Sequence, residues 1–171
     1  MADWKELNTL SPEDLAKVKH NDPRLDSFAN VVEERYGLPK DLLVAVKNAG
    51  EMSETLGKPS PKGAKGVMQF IDKTREGYPH DVYDPMASID AAGRMFKDIL
   101  KSYNNNVMAA VAHYNGGWVQ GKAYMAGKPV PSQSQTAPYL QRIREYMEKR
   151  SAQQATPPSQ LTTSFRLGVS P

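Results

Sequence analysis

Cysteine is absent from the 171 residues, so neither a disulfide framework nor a cysteine-based metal site is available and packing alone must hold the fold. Histidine is scarce. His20, His80 and His113 are the only three, and none is spaced as a ligand pair, which argues against a zinc hydrolase and against any metal cofactor. Long apolar runs are missing as well, and no stretch reaches bilayer-spanning length. Residues Met1 to Leu7 lack the charged, apolar and small-residue regions of a secretory signal. Strand-like alternation of useful length does not occur, and there is no internal repeat. What remains is a chain long enough for one domain with a proper core. Its net charge of +3 comes from scattered Lys and Arg, which suits an anionic polymer and leaves no clustered footprint for nucleic acid.

Apolar spacing predicts an all-α domain. Ser11, with Asp14 three residues later, opens a short helix over 12–18, and Asp22-Pro23 breaks the chain after it. Leu25, Phe28, Val31, Val32 and Tyr36 share one helical face, which Gly37 ends. Pro39 opens the next helix, through Leu42, Leu43, Val46 and Ala49. A polar surface loop is expected between Lys73 and Pro85. The longest helix starts at Asp84-Pro85 or Ser88 and carries Ile89, Ala92, Met95, Phe96, Ile99 and Leu100 to about Tyr103. An Ala-rich helix follows from Val107 to Tyr114 and stops at Gly116-Gly117. Residues 118–137, with Trp118 and Tyr124, read as a long and therefore functional loop. A last helix runs over 138–150. The expected organisation is an N-terminal extension at 1–23, the main domain at 24–150 and a polar, extended tail at 151–171.

The stretch from Glu51 to Phe70 carries the chemistry. Glu51 falls at the C-terminal end of its helix, where partial negative charge and any burial oppose ionisation and raise its pKa. A Glu held protonated near neutral pH is a general acid; a lone Glu at a frayed helix end is equally just a solvated charge. Gly50 beside it is expected to loosen the helix end. From Ser60 the chain reads Ser60-Pro61-Lys62-Gly63-Ala64-Lys65-Gly66-Val67-Met68-Gln69, a tight turn with two glycines before a short apolar run bearing one amide.

These residues resemble the soluble lytic transglycosylase domain, related to goose-type lysozyme. That family places its catalytic Glu nine positions before the Ser of an S-P-x-G-A-x-G-L-M-Q stretch, as Glu51 stands to Ser60 here, with Val67 replacing Leu. His113-Tyr114-Asn115-Gly116-Gly117 is similar to its A-Y-N-x-G segment, and Thr136-Ala137-Pro138-Tyr139 to its last motif. Four ordered motifs over roughly residues 30–146 carry the likeness. It implies a lysozyme-like helical domain with long loops around a substrate groove.

The resemblance implies Glu51 as the catalytic acid and Ser60, Met68, Gln69, Tyr114, Asn115 and Tyr139 as substrate-binding residues, with Tyr139 also bonded to the acid. It implies cleavage of the MurNAc–GlcNAc bond of peptidoglycan with an anhydro product, no cofactor and no membrane or nucleic-acid partner. A hydrolase of the goose-lysozyme type and a catalytically silent structural or wall-binding module are the alternatives. Small domains resembling this one occur in phage virions. With no signal sequence, the expected setting is a virion-associated protein acting on the wall from the periplasm, with other virion or ejection proteins as partners. A second carboxylate is hard to nominate: Glu54 follows the helix, and Asp72 stands where the family has Pro. The family's usual Ser after the acid is Met52 here. Phe70-Ile71-Asp72 replaces an apolar run, and His113 replaces an Ala, which is expected to set a titratable ring beside Tyr114.

Overall fold

A computed structural model of the chain describes residues 2–53 and 58–155. Glu54 and the expected tail beyond Ala155 lie outside the described residues. The protein is mainly helical. A 3₁₀ helix at Trp4–Thr9 is followed by α1 (Pro12–Leu15), α2 (Pro23–Tyr36), α3 (Leu42–Ala45) and a π-helical segment at Val46–Glu51. Then come α4 (Asp72–Gly77), α5 (Pro85–Ser102), α6 (Val107–Gly116), α7 (Trp118–Met125) and α8 (Thr136–Ala155). Among the described residues the only β pairing is an isolated bridge between Lys65 and Phe70.

Helix α5 is the axis of the core. Its Ile89, Ala92, Phe96 and Ile99 are buried at the expected spacing, and α2 supplies Leu25, Phe28, Ala29 and Val32 against the same cluster. Local signals behave as read at several ends. Ser11 Oγ accepts from the Asp14 N–H at 3.1 Å, Asp84 accepts from Met86 and Ala87 at the start of α5, and Gly37 ends α2 at φ 65°.

Other boundaries differ from the sequence expectation, each for a physical reason. The helix expected to start at Pro39 starts at Leu42, because Asp41 sits in the left-handed region at φ 69° and provides no side-chain cap. The free N–H groups there go instead to Glu33, reaching across from α2. Residues 72–77 of the expected surface loop form α4. Most of the first half of the expected 118–137 loop is α7. Its Gly121 reads as a turn residue but is a contact point: a Cβ there would lie 2.2 Å from the Tyr103 hydroxyl. The last helix is longer than expected and takes in residues 151–155 of the expected tail. Helix α1 stops at Leu15, short of Val18.

Candidate active site

Glu51 closes the segment Val46–Glu51, where the helix widens to π geometry. The segment is anchored from below by Lys47, whose fully buried ammonium group binds Asp26 Oδ1 at 2.6 Å, Asn48 Oδ1 at 2.7 Å and the His20 carbonyl. Burial pulls the Lys47 pKa down while Asp26 opposes the shift. From α8, Arg142 donates Nε to the Ala49 carbonyl at 2.8 Å and Nη2 to the Gly50 carbonyl at 3.2 Å. It thereby satisfies carbonyls that the helix end leaves open.

Tyr139, one turn earlier on α8, donates its hydroxyl to Glu51 Oε1 at 3.1 Å. Its ring lies under the Arg142 guanidinium at 5.6 Å and packs on Gly50. A Cβ on Gly50 would come within 2.6 Å of the Tyr139 ring, so this glycine seats the tyrosine. That corrects the expectation that Gly50 loosens the helix end.

Burial pushes the Glu51 pKa up to about 7, against the hydrogen bond from Tyr139 and the charge of Arg142. The direction is the one read from sequence, with a different cause. Arg142 covers the helix terminus that was expected to repel the carboxylate, and removal from water does the work. Burial and the facing carboxylate raise Tyr139 and Tyr114 well above the usual phenol range, so both hydroxyls keep their protons.

The Ser60–Phe70 stretch is the tight turn expected. Ser60 and Ala64 exchange backbone bonds around it, Ser60 Oγ accepts from the Ala64 N–H at 3.0 Å, and Lys65 pairs with Phe70. Gln69, at φ 53°, donates Nε2 to the Gly66 carbonyl at 2.7 Å and to Ser53 Oγ at 3.1 Å. Its amide oxygen is left for another donor. Met68 is fully buried, and its carbonyl accepts the Tyr114 hydroxyl at 2.7 Å. The Tyr114 ring stacks on Phe96, centroids 4.7 Å apart. Asn115 Oδ1 accepts from Thr136 Oγ1 at 2.7 Å, which turns its NH₂ the other way.

Glu51, Ser60, Gln69, Tyr114 and Asn115 thus meet in one cleft of about 300 Å³. Two of the named residues do not line it. Tyr139 is buried behind the acid, and Met68 is a core residue bracing Tyr114 through its backbone. His113, adjacent in sequence to Tyr114, faces away to Tyr103, whose hydroxyl lies 2.9 Å from His113 Nδ1, and packs edge-on against Trp118. Burial lowers its pKa and favours the neutral ring.

Sequence reasoning missed Arg142, although a cation three residues after Tyr139 on one helix face was a readable signal. It also missed Lys62, Thr74, Met95 and Gln135 on the cleft wall, which no motif marks. No other carboxylate among the described residues lines the cleft. Asp72 is exposed and pairs with Lys65 at 2.9 Å, which holds its carboxyl below the usual range. No group of three or more His, Asp or Glu among the described residues is placed to hold a metal ion.

A family model described as Transglycosylase SLT domain matches residues 27–134, well over half of the chain. Tyr139 and Arg142 lie beyond the matched span. No solved structure matches the chain closely enough to count as a relative.

Proposed function

Since this chain belongs to the transglycosylase SLT domain family, we propose that it is a peptidoglycan lytic transglycosylase in which Glu51 is the single acid and base. The observation that carries the reading is Glu51 itself: alone among the described carboxylates in the cleft, its pKa is lifted by burial to about 7. A group at that pKa gives and takes a proton equally well near neutrality.

In the first step, protonated Glu51 donates to the glycosidic oxygen between MurNAc and GlcNAc. The C1–oxygen bond breaks, and the sugar's N-acetyl group stabilises the cation developing at C1. In the second, the Glu51 carboxylate takes the proton of the C6 hydroxyl, and O6 closes on C1 to give the 1,6-anhydro ring. Glu51 ends protonated as it began, and no water is consumed. Tyr139 holds the carboxyl by its Oε1 and stays a donor throughout. The Gln69 amide oxygen, the Asn115 NH₂ and the Ser60 hydroxyl proton are the groups free to orient the sugars. Met68 contributes by bracing Tyr114 rather than by touching the glycan.

Digestion of purified sacculi followed by mass spectrometry of the glycan ends tests the reading. Anhydro-ended muropeptides are expected, each lighter by one water than a reducing-ended product. Reducing ends would make the protein a hydrolase of the same bond, and folded protein yielding neither would make it a silent module. The virion setting is part of the same proposal, supported by the resemblance to phage wall-cutting domains. Its check is whether the chain is present in purified particles.

A further inference from the structure

The chain before residue 27 is outside the family match, yet one residue of it touches the acid-bearing stretch at two points. His20 Nδ1 lies 3.0 Å from the Ser53 carbonyl. Facing a carbonyl, the ring nitrogen can only donate, so the proton sits on Nδ1. The carbonyl of His20 in turn accepts the buried Lys47 ammonium. His20 therefore grips the stretch Lys47–Ser53 on both sides of Glu51. Ser53 is buried, and its hydroxyl accepts the cleft-lining amide of Gln69 at 3.1 Å. Two residues in this assembly, Met52 at φ 43° and Gln69 at φ 53°, hold left-handed backbone that side chains other than glycine rarely adopt. Such conformations persist where the surroundings over-determine them.

We propose that His20 is a positioning residue of the active site: its Nδ1–H fixes the backbone just after Glu51 and, through Ser53, the Gln69 amide. The N-terminal segment is then part of the catalytic assembly and not a separate extension. This rests on the reading of Glu51 as the acid.

The test compares wild type with His20→Ala, His20→Asn and His20→Asp, measuring initial rates on sacculi well below every thermal midpoint. The Asn amide nitrogen sits where Nδ1 does and can donate, whereas Asp has the same size and nothing to donate at neutral pH. With the donor kept, His20→Asn should stay within about threefold of wild type, while Ala and Asp lose roughly ten- to a hundredfold, mostly in kcat, as small misplacements of an acid do. Equal rates for Asn and Asp overturn the proposal, and that pair decides it even if the Ala variant does not fold. Amide hydrogen exchange at Ser53 and Gln69 reads the same contact without turnover. Protection should fall in Asp and persist in Asn, and unchanged protection in Asp overturns the proposal. An inactive wild type would refute the transglycosylase reading instead, leaving the exchange result to decide this one.

Discussion

Two carboxylates mark the two ends of one helical segment, Leu42–Glu51, and their surroundings are opposite. Glu33, from α2, is buried at the N-terminal end and accepts the N–H groups of Asp41, Leu43 and Val44 at 2.8, 2.8 and 3.3 Å, with the Asn30 amide at 2.7 Å. Burial raises its pKa, and those four donors all work against the rise. Glu51, at the other end, has one hydroxyl and a cation beyond it. Glu33 replaces the missing cap of the helix, so its charge is matched to open donors. Glu51 sits where the backbone offers acceptors, which Arg142 has already taken, and little favours its ionised form. The same side chain is a structural fastening at one end and a proton reservoir at the other, and the difference lies in how many donors face it.

The comparison breaks most visibly if the two are neutralised in turn. Glu51→Gln should lower turnover on sacculi by about a thousandfold or more, since a general acid of this kind contributes on the order of 10²–10⁴. Its stability effect has a definite sign. The folded-state pKa of Glu51 is above its unfolded value, so ionisation costs nothing below about 4.5 and its full penalty above about 7. The Gln variant should match wild type in thermal midpoint at pH 4 and exceed it at pH 8, by at most roughly 3 kcal/mol in urea titrations. A lower midpoint at pH 8 would show that the carboxylate is held, not tolerated.

Glu33→Gln should do the reverse, leaving the chemistry intact and destabilising the fold by roughly 2–4 kcal/mol, because an amide NH₂ would be turned on converging backbone donors. Urea unfolding checks this, and an undiminished midpoint would remove the contrast. The smallest effect is expected from Tyr139→Phe. Loss of the hydroxyl should raise the Glu51 pKa further, by up to about one unit, and move the alkaline limb of the kcat/KM profile upward with it.

Much of this was readable in the sequence because it is local. The α5 stripe, the Ser11 and Asp84 caps, the Gly37 stop and the Ser60 turn are set by residues within a few positions of one another, and the structure keeps them. The spacing from Glu51 to Ser60 and Gln69 likewise led to residues that meet in one cleft. What could not be read depends on partners far along the chain. Arg142 meets Ala49 and Gly50 from another helix, and Glu33 caps a helix that begins nine residues later. Gly50 and Gly121 are small because tyrosine rings press on them, a reason that no local propensity encodes. Reading Gly121 as a turn made α7 look like loop, and placing Met68 at the groove ignored that Tyr114 would cover it.

The widened helical turn at Val46–Glu51 has a further consequence for how this protein tolerates change. A π turn carries one residue more than the α turn it replaces. Removing a single residue between Val46 and Gly50 would let the segment relax to ordinary winding and swing the side chain at its end by about 100° around the axis. The acid's aim therefore depends on residue number as much as on residue identity, and insertions or deletions in this turn should be far less forgiving than substitutions.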